Sequence, residues 1–215
     1  MKIYIISGLG ADRKVFSKIH FPDHLQPVFL DWLIPLRNEK FDHYIRRMME
    51  SIDTTDPFCL LGYSFGGVLV QEIDRITPAE KVVVLGSMKS PRELAPSIKI
   101  LRNVPFFSKI PKKFFEERAI RNFQNMKNLF EPNPKFWEYF VVRDTHYLKW
   151  SLQQIVQWQF EPNPKVIQVS AEKDLVFPIQ YCKPDYVIKR ANHFFPVTKY
   201  KEVNQILQEI FEQRK

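Results

Sequence analysis

Gly62-Tyr63-Ser64-Phe65-Gly66-Gly67 holds three of the chain's six glycines. The apolar run Phe58-Cys59-Leu60-Leu61 precedes it and Val68-Leu69-Val70-Gln71-Glu72-Ile73 follows, so the order is a strand, a sharp turn with a serine at its tip, and a helix. In a G-x-S-x-G elbow the serine takes a strained backbone conformation, and residues without side chains two positions either side let strand and helix approach closely enough to permit it. The stretch predicts an exposed Ser64 hydroxyl at a helix N-terminus, a good place for a nucleophile.

Outward from the elbow, strand-like runs recur at residues 2–7, 27–33, 58–63, 81–86, 165–170 and 186–189, with helical or loop material between them. Helices are read at 14–20, 41–51, 68–76 and 199–213, the last with Val203, Ile206, Leu207, Ile210 and Phe211 on one stripe. This alternation implies an α/β fold built on a parallel sheet. A chain of 215 residues suits one domain. Its first residues form a strand, too short and too weakly basic for a signal peptide, and no later run is long enough to span a membrane. Cys59 and Cys182 make neither a disulfide framework nor a metal cluster, which points to a reducing cytoplasm.

Residues 90–160 break the rhythm. Pro91, Pro96, Pro105, Pro111, Pro132 and Pro134 cut them into short helical pieces with no convincing strand, as in an insertion laid on the sheet. One piece, 111–130, sets Phe115, Ala119, Phe123, Met126 and Phe130 on one face. Fourteen aromatics fall in the insertion, enough to roof an apolar pocket. The net charge of +8 is concentrated here too, since residues 89–127 carry ten basic side chains against Glu93, Glu116 and Glu117. That segment is either a solvated face or a place for an anionic substrate. Charge confined to one segment, without a recognition fold, argues against nucleic-acid binding.

A serine hydroxyl needs a base, usually an imidazole held in the right tautomer by a carboxylate. Among five histidines, His193 directly follows the last strand, in a loop that opens on the same sheet edge as Ser64. His20, His24, His43 and His146 lie at helices or helix ends, and Asp144 beside His146 reads as a cap. The acid belongs on another loop of that edge, where Asp174 is the leading candidate and Glu172 its rival. Two backbone donors are needed for an oxyanion. The N–H of Phe65 follows from the elbow, and the N–H of Leu9 is assigned from the Gly8-Leu9-Gly10 loop after the first strand, which lacks the third glycine of a dinucleotide fingerprint.

The order Ser64, Asp174, His193, with GYSFGG at the elbow, SAEKDLVFP around the acid and ANHFFP around the histidine, resembles the α/β-hydrolase superfamily over essentially the whole chain. The resemblance implies a three-layer fold of about six parallel strands flanked by helices, with core 1–89 and 161–215 and a helical lid 90–160. By the same resemblance Ser64 is the nucleophile, His193 the base and then acid, Asp174 the orienting acid, and Leu9 and Phe65 the oxyanion hole. Ser7 stands where many relatives have histidine, Ser170-Ala171 replaces a frequent His-Gly, and Ala191-Asn192 a frequent Gly-Gly.

The function expected is a serine hydrolase acting on a small ester or thioester, with no cofactor, no metal and no stable membrane insertion. A ligand-binding protein on the same fold, or a non-hydrolytic acyltransferase or lyase, stays open beside it, because this architecture hosts many activities. Nothing in the sequence specifies an oligomeric state.

Overall fold

The structure, a computed structural model, describes residues 1–96, 99 and 136–212. Strands β1 (Lys2–Ile6), β2 (Gln26–Leu30), β3 (Phe58–Tyr63), β4 (Lys81–Leu85), β5 (Val166–Ala171) and β6 (Tyr186–Ile188) form one sheet in the order β2-β1-β3-β4-β5-β6. Every pair is parallel. The described helices are α1 (Phe41–Met49), α2 (Phe65–Ile76), α3 (Phe136–Tyr139), α4 (Thr145–Gln157), α5 (Phe195–Thr198) and α6 (Tyr200–Glu212).

Successive residues of a strand face opposite sides, and a parallel sheet covered on both faces needs apolar residues on both. Tyr4, Ile6, Leu60, Val82 and Val84 pack with Tyr44 of α1, Leu69 and Ile73 of α2 and Trp150 of α4. Ile3, Ile5, Leu61, Val83 and Leu85 pack with Val203, Leu207, Ile210 and Phe211 of α6. Three layers result. The chain runs from β1 outward to β2 and then returns to β3 on the other side of β1. In open parallel sheets such a reversal is where a crevice forms, here at the C-terminal ends of β1 and β3.

The predicted strands are all present, but three local expectations change. The second strand ends at Leu30, so Asp31, Trp32 and Leu33 leave the sheet. In place of a helix over 14–20 there is one 3-10 turn, Arg13–Phe16, started by the Asp12 carboxylate accepting from the Lys14 N–H at 3.0 Å. Beyond it, Asn204 of α6 takes over the backbone, accepting from the His20 N–H and donating to the Lys18 carbonyl, both at 3.0 Å. Within 90–160 the described part includes α4, a helix of thirteen residues and not a short piece, capped by the Asp144 carboxylate that accepts from the Tyr147 N–H at 2.8 Å. The helix expected at 111–130 and most of the basic segment lie outside the described residues. No described helix is long and apolar enough to cross a membrane.

The loop after β2 is fastened by one enclosed carboxylate. Glu39 accepts from the Leu36 N–H at 2.7 Å and from Arg47 Nη1 at 2.8 and 3.0 Å, and meets His43 Nδ1 at 2.6 Å, while its carbonyl takes the Trp150 Nε1–H at 2.9 Å. Burial disfavours its charge, yet the Leu36 N–H, His43 and Arg47 outweigh burial and hold the carboxyl below its ordinary value of 4.5. A depressed folded-state value means stability that is present above the unfolded value and lost as pH falls through the folded one. Glu39→Gln is therefore expected to destabilise the protein by about 2 kcal/mol near neutral pH. In urea titrations the gap to wild type should shrink progressively once pH drops below about 4.5. A gap of the same size at about pH 3 as at neutrality would remove the carboxylate's charge as its source.

Candidate active site

β3 is buried along its whole length and delivers Ser64 to the C-terminal edge of the sheet. Ser64 has φ 54° and ψ −120°, in the left-handed half of backbone space that costs a residue with a Cβ roughly 1–3 kcal/mol. The turn is held by the Ser64 N–H donating to the Leu85 carbonyl and the Gly67 N–H donating to the Ser64 carbonyl, each at 2.9 Å. Close approach explains the neighbouring glycines: a Cβ on Gly62 would collide with the Gly66 carbonyl, and one on Gly66 with the carbonyls of Ile6 and Ser7.

Loops from β5 and β6 bring in the next two groups. His193 Nε2 lies 3.0 Å from Ser64 Oγ, and its Nδ1 lies 2.7 Å from Asp174 Oδ2. The other carboxylate oxygen, Oδ1, accepts from the N–H groups of Val176 at 2.8 Å and Phe177 at 2.9 Å, so the acid is oriented by its own loop. With an acceptor facing Nδ1, the imidazole carries its proton there and presents a bare Nε2 to the serine hydroxyl. His193 and Asp174 are 4% and 2% exposed, against 9% for Ser64. Tyr63 donates its hydroxyl to the His193 carbonyl at 2.9 Å, and the rings of Tyr63 and Phe177 flank the imidazole with centroids at 5.4 and 5.8 Å. Burial, with the Asp174 charge adding to it, pushes the Tyr63 hydroxyl well above its ordinary value, so it stays a donor.

On the other side of Ser64, the loop after β1 is tied down almost group by group. The Gly8 carbonyl accepts from the Ala11 N–H at 2.9 Å and from Trp32 Nε1 at 3.0 Å. The Ser7 hydroxyl donates to the Ala11 carbonyl at 2.5 Å. The Gly10 N–H donates to the Tyr147 hydroxyl of α4 at 3.2 Å, and the Gly10 carbonyl accepts from the N–H groups of Val141 and Val142 at 2.8 and 2.9 Å. The Leu9 N–H has no hydrogen-bond partner among the described residues. Phe65, first residue of α2, likewise presents an N–H with no acceptor inside its own helix.

No protein-family signature matches the chain, and no curated protein matches it in sequence. Solved structures do match. MenH from S. aureus aligns with a TM-score of 0.67 at 12% identity, over 99% of this chain and 93% of that one. A thermophilic esterase from Thermogutta terrifontis gives 0.66 at 13% identity, over 98% and 89%. The RedJ thioesterase of the prodiginine biosynthetic pathway in Streptomyces coelicolor gives 0.60 at 15% identity, over 97% and 90%. The chain has the α/β-hydrolase fold.

Within this fold, Ser64, His193 and Asp174 lie in one hydrogen-bonded row, with the Phe65 amide opening α2 directly after Ser64 and the Leu9 amide in the loop after β1. Glu172 does not join them. Its carboxylate accepts from the Arg190 N–H at 2.7 Å and reaches Lys189 at 3.5 Å, stitching together the ends of β5 and β6. The other histidines have separate partners: His20 meets Asn204, His43 meets Glu39, His146 meets the Pro35 carbonyl, and the His24 carbonyl accepts from the chain's amino group. Sequence reasoning missed Trp32, Tyr147 and Tyr63. Tyr63 sits inside the quoted motif and Trp32 two residues past a strand end, but no local pattern announces that Tyr147 will reach a loop 137 residues away.

Proposed function

We propose that this chain is a cofactor-independent serine hydrolase that cleaves a small ester or thioester through an acyl-enzyme on Ser64. The observation that carries the reading is the Ser64–His193–Asp174 row at 3.0 and 2.7 Å, ending on a serine in a strained elbow. Ser64 Oγ attacks the substrate carbonyl while its proton passes to His193 Nε2, and Asp174 stabilises the imidazolium that forms. The carbonyl oxygen becomes an oxyanion directed at the Leu9 and Phe65 N–H groups. Collapse expels the alcohol or thiol, which takes the proton from Nε2. Water then attacks the acyl-enzyme as His193 accepts its proton, and collapse breaks the acyl bond to Ser64 Oγ, which takes the proton back from Nε2 as the acid product leaves.

Structural neighbours described as an esterase and a thioesterase support the ester or thioester class. Residues 90–160 are assigned as the lid inserted between core segments 1–89 and 161–215, with α4 as its return to the core. A cytoplasmic setting fits two unpaired thiols, Cys59 and Cys182, both pushed up to about 11 chiefly by burial and so poorly reactive.

The test is stopped-flow hydrolysis of p-nitrophenyl acetate and butyrate, combined with mass spectrometry after a fluorophosphonate probe. A burst followed by steady turnover, with the probe's mass on the peptide containing Ser64, is the expected result. Labelling without turnover would instead mark a binding protein. Preference for an added alcohol or thiol acceptor over water would mark a transferase.

A further inference from the structure

Trp32 touches both halves of the assigned oxyanion hole. Its Nε1–H lies 3.0 Å from the Gly8 carbonyl and 3.1 Å from Ser7 Oγ, and its ring stacks on Phe65 with centroids 5.3 Å apart and planes within 6°. We propose that Trp32 is a positioning residue for acyl transfer, aiming and polarising the Leu9 N–H while bracing the residue that supplies the second donor. The inference rests on the serine-hydrolase reading above.

The physical link is the peptide plane. The Gly8 C=O and the Leu9 N–H are opposite ends of one rigid trans unit, so fixing the carbonyl fixes the direction of the N–H. That carbonyl has two lone pairs, and two donors meet it: the Ala11 N–H from within the loop and the Trp32 indole from outside it. Ala11 alone would let the loop pivot as a unit. Trp32 ties it to the adjacent strand's loop, and the Ser7 hydroxyl, taking the indole N–H and donating to the Ala11 carbonyl, closes a second path between the same elements. Hydrogen bonds to a carbonyl also polarise its peptide, making the N–H at the far end a stronger donor where water is excluded. Trp32 is buried, so its N–H is not diverted to solvent. Tyr147 also packs against the indole, with centroids 5.5 Å apart and planes tilted by 56°, while its hydroxyl accepts the Gly10 N–H, so the indole and the loop share a second neighbour.

Packing alone would make Trp32 matter for stability and not for the reacting oxygen. Two variants separate these roles. Trp32→Phe keeps a ring over Phe65 without the N–H, and replacement of Trp32 by 3-benzothienylalanine keeps the full bicycle with sulfur in place of the N–H. With p-nitrophenyl acetate, kcat is expected to fall roughly tenfold in both, with KM held within about twofold, because the aim of one donor is lost only where negative charge develops. The inhibition constant of a trifluoromethyl ketone, whose hemiketal on Ser64 carries that charge, should rise by a similar factor. The melting point of the benzothienylalanine protein should stay with wild type. Wild-type kcat and ketone affinity in the benzothienylalanine protein would overturn the assignment while leaving the hydrolase reading intact. Absence of Ser64-dependent turnover in the wild type itself would overturn the hydrolase reading, and this inference with it.

Discussion

Ser64→Ala is expected to lower kcat for p-nitrophenyl butyrate by about a thousandfold or more, to the level that binding and the oxyanion donors alone sustain. The expectation follows from the geometry of a single atom. Oγ is the only group of the residue within reach of His193 Nε2, at 3.0 Å, and alanine removes it without altering the turn. Ser64→Gly should be equally inactive but should behave differently on heating. At φ 54° and ψ −120° any residue with a Cβ is strained, and glycine is not. Relief of that strain, partly offset by the greater freedom of glycine in the unfolded chain, should leave Ser64→Gly about 1 kcal/mol more stable than Ser64→Ala. That difference corresponds to a melting point higher by about 2–4 °C. Scanning calorimetry of the pair decides it: a glycine variant that melts below the alanine one would show that the elbow stores no strain, and the site would then lack the built-in stability cost typical of a functional position.

How much of this was legible in the sequence depends on how local each feature is. Strands β3 and β4 were plain because their residues are apolar on both faces, as a covered parallel strand demands. The elbow was plain because its pattern is contained in six residues, even though the Leu85, Ile6 and Ser7 carbonyls that confine it are distant in sequence. The second strand stops short of its apolar pattern for an instructive reason: Trp32 and Leu33 continue the pattern, yet the chain leaves the sheet after Leu30 and Trp32 holds the Gly8 carbonyl. Hydrophobicity alone does not distinguish a side chain packed under a sheet from one packed over a loop. The helix at 14–20 failed similarly, because the groups that satisfy its backbone belong to Asn204 at the far end of the chain. The sequence ranks Asp174 ahead of Glu172 but does not by itself exclude the rival. They share one loop, and only its fold turns the first toward His193 and the second toward Arg190.

That separation yields the second large effect. Asp174→Asn is expected to reduce kcat/KM by about a thousandfold to ten-thousandfold with little change in the fold. The Val176 and Phe177 N–H groups need an acceptor at Oδ1, so the amide oxygen of asparagine takes that position and its NH2 faces His193 Nδ1. Two donors would then oppose each other unless the imidazole changes tautomer. In the other tautomer Nδ1 accepts and Nε2 bears the proton, which leaves no lone pair to receive the one from Ser64. The defect is thus a misplaced proton and not a broken scaffold, so fluorophosphonate labelling of Ser64 should slow alongside turnover while the melting point holds. Glu172→Gln serves as the contrast. Its carboxylate binds the Arg190 N–H and an exposed Lys189, contacts whose loss should alter activity by no more than about fivefold. Were the two variants to exchange outcomes, Glu172 would be the acid and the His193–Asp174 contact an incidental one. The row would then have to rearrange when substrate binds, because the 2.7 Å separation leaves no room for a second carboxylate between them.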